Sequence, residues 1–233
     1  GKTMREKILQ AIRKNEIQTY SVTEKTTEGA ELYFIKKDLD MRRMKKDAYS
    51  EVTIYRDFEM DGKKMRGSAD INIFPEMTQE EVDKAVSGAF YAASFVKNPY
   101  FEIPKGKKED KVEVESTLCG KSLEEIGDAF VKALYCVDVH EDAFINTAEF
   151  FMDKTWTAIY NSEGVDVSYE KNSVRGEFVV QCITPQDVEQ YQEFAYDDLD
   201  TEALTRQVEE ALARVRDRAN ATEAPEKGNY KLL

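Results

Sequence analysis

Arg66-Gly67-Ser68-Ala69-Asp70-Ile71-Asn72-Ile73 alternates small or apolar residues with polar ones, then reaches Pro75 and Thr78-Gln79-Glu80-Glu81. Alternation at period two reads as a half-buried strand. Thr78 followed three residues later by Glu81 is a capping box, in which each side chain satisfies an otherwise orphan backbone donor. Later in the chain Arg175-Gly176-Glu177-Phe178-Val179-Val180-Gln181-Cys182 echoes the pattern, with Pro185 and another acidic-capped helix expected behind it. Two strand-to-helix units of one kind predict an α+β fold: two similar helix–antiparallel strands–helix units packed into one composite domain.

Working outward, Ile8, Leu9 and Ile12 mark one face of a short helix near the start. Strands are expected at 18–25, 30–37, 49–58 and 67–74, with Asp61-Gly62 as a hairpin turn. Behind the capping box, Val82, Ala85, Val86, Ala89, Phe90 and Ala93 recur at helical spacing. Ser122-Leu123-Glu124-Glu125 opens a second such helix through Ile126, Phe130 and Leu134. Strands are then expected at 143–152, 155–161, 165–169 and 173–184. Leu204, Val208, Ala211, Leu212 and Val215 stripe a final helix over 200–219. The predicted boundaries are 1–104 for the first unit, 105–121 for a charged crossover and 122–219 for the second unit. Residues 220–233 read as a lead-in to a further domain, because Asn229-Tyr230-Lys231-Leu232-Leu233 begins an apolar strand with no partner.

Charge limits the function classes. The chain carries a net charge of −13. Residues 1–75 hold 16 Lys+Arg against 13 Asp+Glu, and the remainder holds 17 against 33. Such acidity argues against nucleic acid as a partner, since that binding rests on cations neutralising phosphates. The local exception is Lys36, Lys37, Arg42, Arg43, Lys45 and Lys46, which also reads as a hairpin guarded by charge. No apolar run is long enough for a membrane helix and no signal-peptide core opens the chain, so the expected location is cytoplasmic, away from the membrane. Cys119, Cys136 and Cys182 form no CxxC pair and read as small core-filling residues.

His140 is the one histidine. A His-Glu-x-x-His zinc site needs two, and no serine or cysteine in an elbow motif lies near His140 to make a triad. The acid pairs Glu80-Glu81, Glu124-Glu125 and Asp197-Asp198 fit helix N-termini, where they stabilise the macrodipole. No glycine-rich phosphate loop is present. Catalytic and metal residues are therefore assigned to none of the positions in this chain.

Several stretches resemble the amino-terminal domain of the TldD/PmbA family, proteins named as modulators of DNA gyrase and related to peptidases. They are Phe34-Ile35-Lys36-Lys37-Asp38-Leu39-Asp40-Met41, Val52-Thr53-Ile54-Tyr55-Arg56-Asp57-Phe58 and Arg66-Gly67-Ser68. Ala92-Ala93-Ser94-Phe95-Val96-Lys97-Asn98-Pro99-Tyr100, Ile159-Tyr160-Asn161-Ser162-Glu163-Gly164 and residues 225–233 continue the match. The resemblance implies a non-catalytic half that assembles with a homologous subunit, as a homo- or heterodimer, and guides extended or unfolded peptide to a proteolytic chamber. It places any zinc in the downstream domain or a partner subunit, and leaves open whether the parent is the metal-bearing or the metal-less type.

An extended peptide can add a strand to a sheet edge. On that ground the candidate peptide-binding residues are Arg66, Gly67, Asn161, Ser162, Gly164, Arg175 and Gly176, each of which also reads as an ordinary hairpin residue. The alternative function is a regulatory module that contacts DNA gyrase or nucleic acid through the basic segment 36–46. A self-contained hydrolase using the carboxylates lacks a convergent site.

Overall fold

The computed structural model describes residues 1–107 and 116–221. Its elements are α1 (Met4–Lys14), β1 (Thr19–Ile35), β2 (Asp38–Met60), β3 (Lys63–Ile73), α2 (Gln79–Ala93), α3 (Leu123–Tyr135), β4 (Ala143–Asn161), β5 (Asp166–Cys182), β6 (Val188–Tyr196) and α4 (Thr201–Ala219). The strands hydrogen-bond in the order β3-β2-β1-β4-β5-β6. The α+β class is as expected. The middle of the crossover and nearly all of the lead-in, residues 108–115 and 222–233, lie outside the described residues.

Two expectations need correction. The eight short strands expected are in fact five longer ones, because 18–25 joins 30–37, 143–152 joins 155–161, and 165–169 joins 173–184, and a sixth strand, β6, is not among those expected. The quoted echo also does not fall on equivalent elements. Arg66-Gly67 lies in β3, which α2 follows, whereas Arg175-Gly176 lies in β5 and the chain after Pro185 forms β6 before any helix. The order helix, three strands, helix does occur twice, with β3 and β6 as the terminal strands.

The chain forms two compact units whose segments interleave. One comprises residues 1–28, 46–115 and 155–171, the other 29–45, 116–154 and 172–233. In the first, capping boxes at Thr3/Glu6 and Thr78/Glu81 start α1 and α2 with both reciprocal bonds made. Ile8, Ala11 and Ile12 of α1 and Val82, Val86 and Ala89 of α2 share a core with Val52, Ile54 and Ile73 of the strands. Burial of each large apolar side chain contributes roughly 1.5–3 kcal/mol.

In the second unit, Ser122 and Asp200 cap α3 and α4 by accepting from the backbone N–H of Glu125 and Ala203. Phe130 and Leu134 of α3 and Leu204, Val208 and Leu212 of α4 lie over Ala148, Phe150, Val174, Phe178 and Val180. Ala148, Phe150, Val174, Phe178 and Val180 are of even number, so Glu149, Phe151, Arg175 and Glu177 between them face the opposite side of the sheet, whereas Ala143 and Ile145 at the start of β4 join the same core before the parity changes.

The terminal strands each have a neighbour on part of the outer edge, near residues 64–66 of β3 and at Glu193 of β6. Beside β3, Arg66 N–H donates to the Asn98 carbonyl at 2.8 Å and Tyr100 N–H to the Lys64 carbonyl at 3.1 Å. Beside β6, the Gln207 amide donates to the Glu193 carbonyl at 2.8 Å. β2 differs. Its pairing with β3 runs only from Ser50↔Ile73 to Met60↔Lys63. Residues 38–49 therefore have β1 on one side and, among the described residues, no strand on the other.

Candidate functional site

The helix-free face of the second unit carries the most concentrated polar chemistry. Arg43, Lys45 and Arg175 line a cavity of about 360 Å³ together with Glu31, Phe151 and Asp153. Arg43 and Lys45 are two apart on β2 and so project to one side of it. The Arg175 guanidinium carbon sits 4.3 Å from the centre of the Phe151 ring, a cation–π stack. Among the described residues none of these three cations takes part in an ion pair. Gly29 closes the floor, since a side-chain carbon there would lie 3.3 Å from Asp153 Oδ1.

Beside the cavity is a row of carboxylates, one per strand: Glu31 on β1, Glu149 on β4, Glu177 on β5 and Glu193 on β6. Glu177 and Glu193 are register partners, an arrangement of like charges that destabilises a strand pair unless something intervenes. Tyr191 intervenes. Its hydroxyl shares its proton between Glu177 and Glu193, 2.8 Å from Glu193 Oε1, and both bonds raise its pKa above the ordinary tyrosine value. Burial, followed by hydrogen bonds to Glu31 and Glu177 and their negative charge, lifts Glu149 to about 7. The row can therefore hold and release a proton near neutrality.

The expected peptide-binding residues are divided between the units. Arg66 is 4% exposed; it donates to Asp57 and to the Phe101 carbonyl at 2.7 Å and lies 4.3 Å from the Tyr100 ring centre. A side-chain carbon at Gly67 would fall 1.8 Å from the Ala93 carbonyl oxygen, so the neighbouring backbone already fills that space. Asn161 ties its own turn, accepting from the N–H groups of Glu163 and Val165 and donating to the Pro104 carbonyl at 2.8 Å. Ser162 Oγ accepts from Tyr20 N–H at 3.0 Å, and Gly164 takes the φ of +87° that closes the turn. Gly176 abuts the Glu149 carbonyl oxygen, with only 2.1 Å for an added carbon. Of the set, Arg175 alone lines the cavity together with Arg43 and Lys45.

His140 is exposed in the loop between α3 and β4, near Lys36, Lys37 and Asp138. The expectation that all three cysteines fill the core is corrected: Cys182 is buried, Cys119 half-buried and Cys136 exposed at the end of α3. Part of the basic segment is engaged locally. Lys37 Nζ donates to the Asp138 carbonyl at 3.0 Å and Lys46 pairs with Glu28 at 3.4 Å. Sequence reasoning missed the meeting of Arg43 and Lys45 with Arg175, although their i, i+2 spacing was a visible sign of a shared face. Among the described residues no group of three or more His, Cys, Asp or Glu is placed to hold a metal ion. No helix there is long and apolar enough to cross a membrane.

No protein-family model and no curated protein sequence matches the chain. Solved structures do. TldE from Thermococcus kodakarensis aligns over 90% of this chain and 47% of its own, at 15% identity and a TM-score of 0.57. A candidate modulator of a DNA gyrase from Thermotoga maritima aligns over 95% and 49%, at 16% identity and a TM-score of 0.59. Another from Bacteroides thetaiotaomicron aligns over 89% and 48%, at 9% identity and a TM-score of 0.54. The chain spans about half the length of each, and it has the fold of that half of TldE and of the two candidate gyrase modulators.

Proposed function

We propose that the chain is the non-catalytic amino-terminal domain of a cytoplasmic TldD/PmbA-like, metallopeptidase-related protein. In this role it assembles with a homologous subunit and guides extended peptide toward a proteolytic site. Any zinc belongs to the downstream domain or the partner subunit. The fold shared with TldE supports the family, and the unpaired edge of β2 over 38–49 carries the peptide-guiding role. An exposed strand edge offers a row of main-chain donors and acceptors that binds extended chain with little demand on its sequence.

The test pairs two measurements. Hydrogen exchange on the chain with an unfolded peptide added is expected to slow at amides within 38–49 and to leave the covered edge of β3 unchanged. Peptidase assays are expected to find cleavage by the full-length parent with its partner and none by this chain alone. Metal-dependent cleavage by the isolated chain, or no protection on β2, overturns the reading.

A further inference from the structure

We propose that the cavity formed by Arg43, Lys45 and Arg175 is a carboxylate-binding subsite, which makes acidic extended peptides the preferred cargo of the β2 edge. The inference rests on the peptide-guiding reading above and adds the chemical class of the peptide to it.

Three observations support it. Arg43, Lys45 and Arg175 bring three cations to one cavity, and among the described residues none of them takes part in an ion pair, so no described carboxylate of the chain holds them. Arg175 also has a partner within the fold, because its guanidinium carbon lies over the Phe151 ring at 4.3 Å from the centre, a contact that limits the side chain's freedom before any ligand arrives. A preorganised guanidinium gives up less side-chain freedom when it binds a carboxylate in bidentate fashion.

Position supplies the third observation. Arg43 and Lys45 belong to the same stretch of β2 whose far edge has no strand partner. A peptide that paired with that edge would pass beside them, with alternate side chains directed to the cavity face. Glu31 and Asp153 reduce the cavity's formal charge to +1. That balance suits the single charge of a glutamate or aspartate better than the double charge of a phosphate. Phe151 adds an apolar surface for the methylenes of such a side chain.

The test uses the whole chain and two labelled 12-residue peptides of extended type, one with alternate glutamates and one with glutamine in their place, read by fluorescence anisotropy. The glutamate peptide is expected to bind at least about tenfold more tightly, with an affinity that falls as salt is added. Arg175→Gln and the double variant Arg43→Gln/Lys45→Gln should each abolish the difference between the peptides. Lys84→Gln, which removes one positive charge from the exposed face of α2 away from β2, should leave it within about twofold. Thermal melts confirm that each variant is folded. Equal binding of the two peptides, with β2 still protected, overturns the carboxylate subsite and leaves the peptide-guiding reading standing. Failure of both peptides to bind overturns both. Displacement of the glutamate peptide by inorganic phosphate at equimolar concentration overturns the assignment to carboxylate.

Discussion

Arg66 grips Asp57 across a β2–β3 register pair, with Nε 2.7 Å from Oδ1 and Nη2 3.1 Å from Oδ2. The same guanidinium holds the Phe101 carbonyl, so one side chain joins two strands to the segment that covers the β3 edge. Truncation to alanine should cost about 2–4 kcal/mol in chemical denaturation, and Arg66→Lys about half of that, because a point charge cannot reproduce the fork. Arg66 also holds the Asp57 carboxyl below the usual carboxylate range. That contribution is present above the ordinary aspartate pKa of about 3.9 and is lost as acid is added through the lower folded value. The deficit of the alanine variant should therefore narrow in acid.

Glycine substitutions separate close approach from helix propensity. Gly67→Ala and Gly176→Ala place a carbon 1.8 Å and 2.1 Å from carbonyl oxygens and should each cost about 1–3 kcal/mol or more. Gly88→Ala, exposed in α2 with nothing within 4 Å, should raise stability by up to about 1 kcal/mol. Melting temperatures of the three variants give the comparison directly.

The carboxylate row predicts a pH signature of opposite sign to that of Asp57. Glu149 has a folded value of about 7, raised from 4.5, so ionising it opposes folding increasingly as pH rises through that window. Glu149→Gln should melt at the same temperature as the parent chain near pH 4.5 and at a higher one near pH 8. A gap that does not change with pH would mean that Glu149 titrates normally.

Asn161→Ala tests whether the 161–164 turn is architectural. It removes acceptors for two backbone N–H groups and the donor to Pro104. A loss of about 1–3 kcal/mol is expected, with binding of extended peptide to β2 unchanged in the folded fraction.

The four helices could be read from the sequence because each signals itself locally. Thr78 and Glu81, Ser122, and the apolar spacing from Leu204 to Val215 are all short-range patterns. The strands were harder. Gly29 and the pair Asp153-Lys154 look like interruptions, yet β1 and β4 run through them as the chain passes from one compact unit to the other. β6 was missed because Gln190, Gln192, Glu189 and Glu193 make Val188–Tyr196 look like a polar connection. Arg66 and Arg175 stand before glycine in the same way, but one is locked inside its unit while the other lines a cavity. That difference depends on which strands neighbour them, and a single-sequence pattern does not encode it.

The β2–β3 register ends at Ser50↔Ile73, and this sets a physical limit on anything that adds to β2. Inside the second unit the unpaired stretch is 38–45. At about 3.3 Å per residue, those eight positions expose roughly 26 Å of backbone. On the proposed function, that length sets how much extended chain can pair there, and a short unfolded stretch is expected to fill it before any side chain is read.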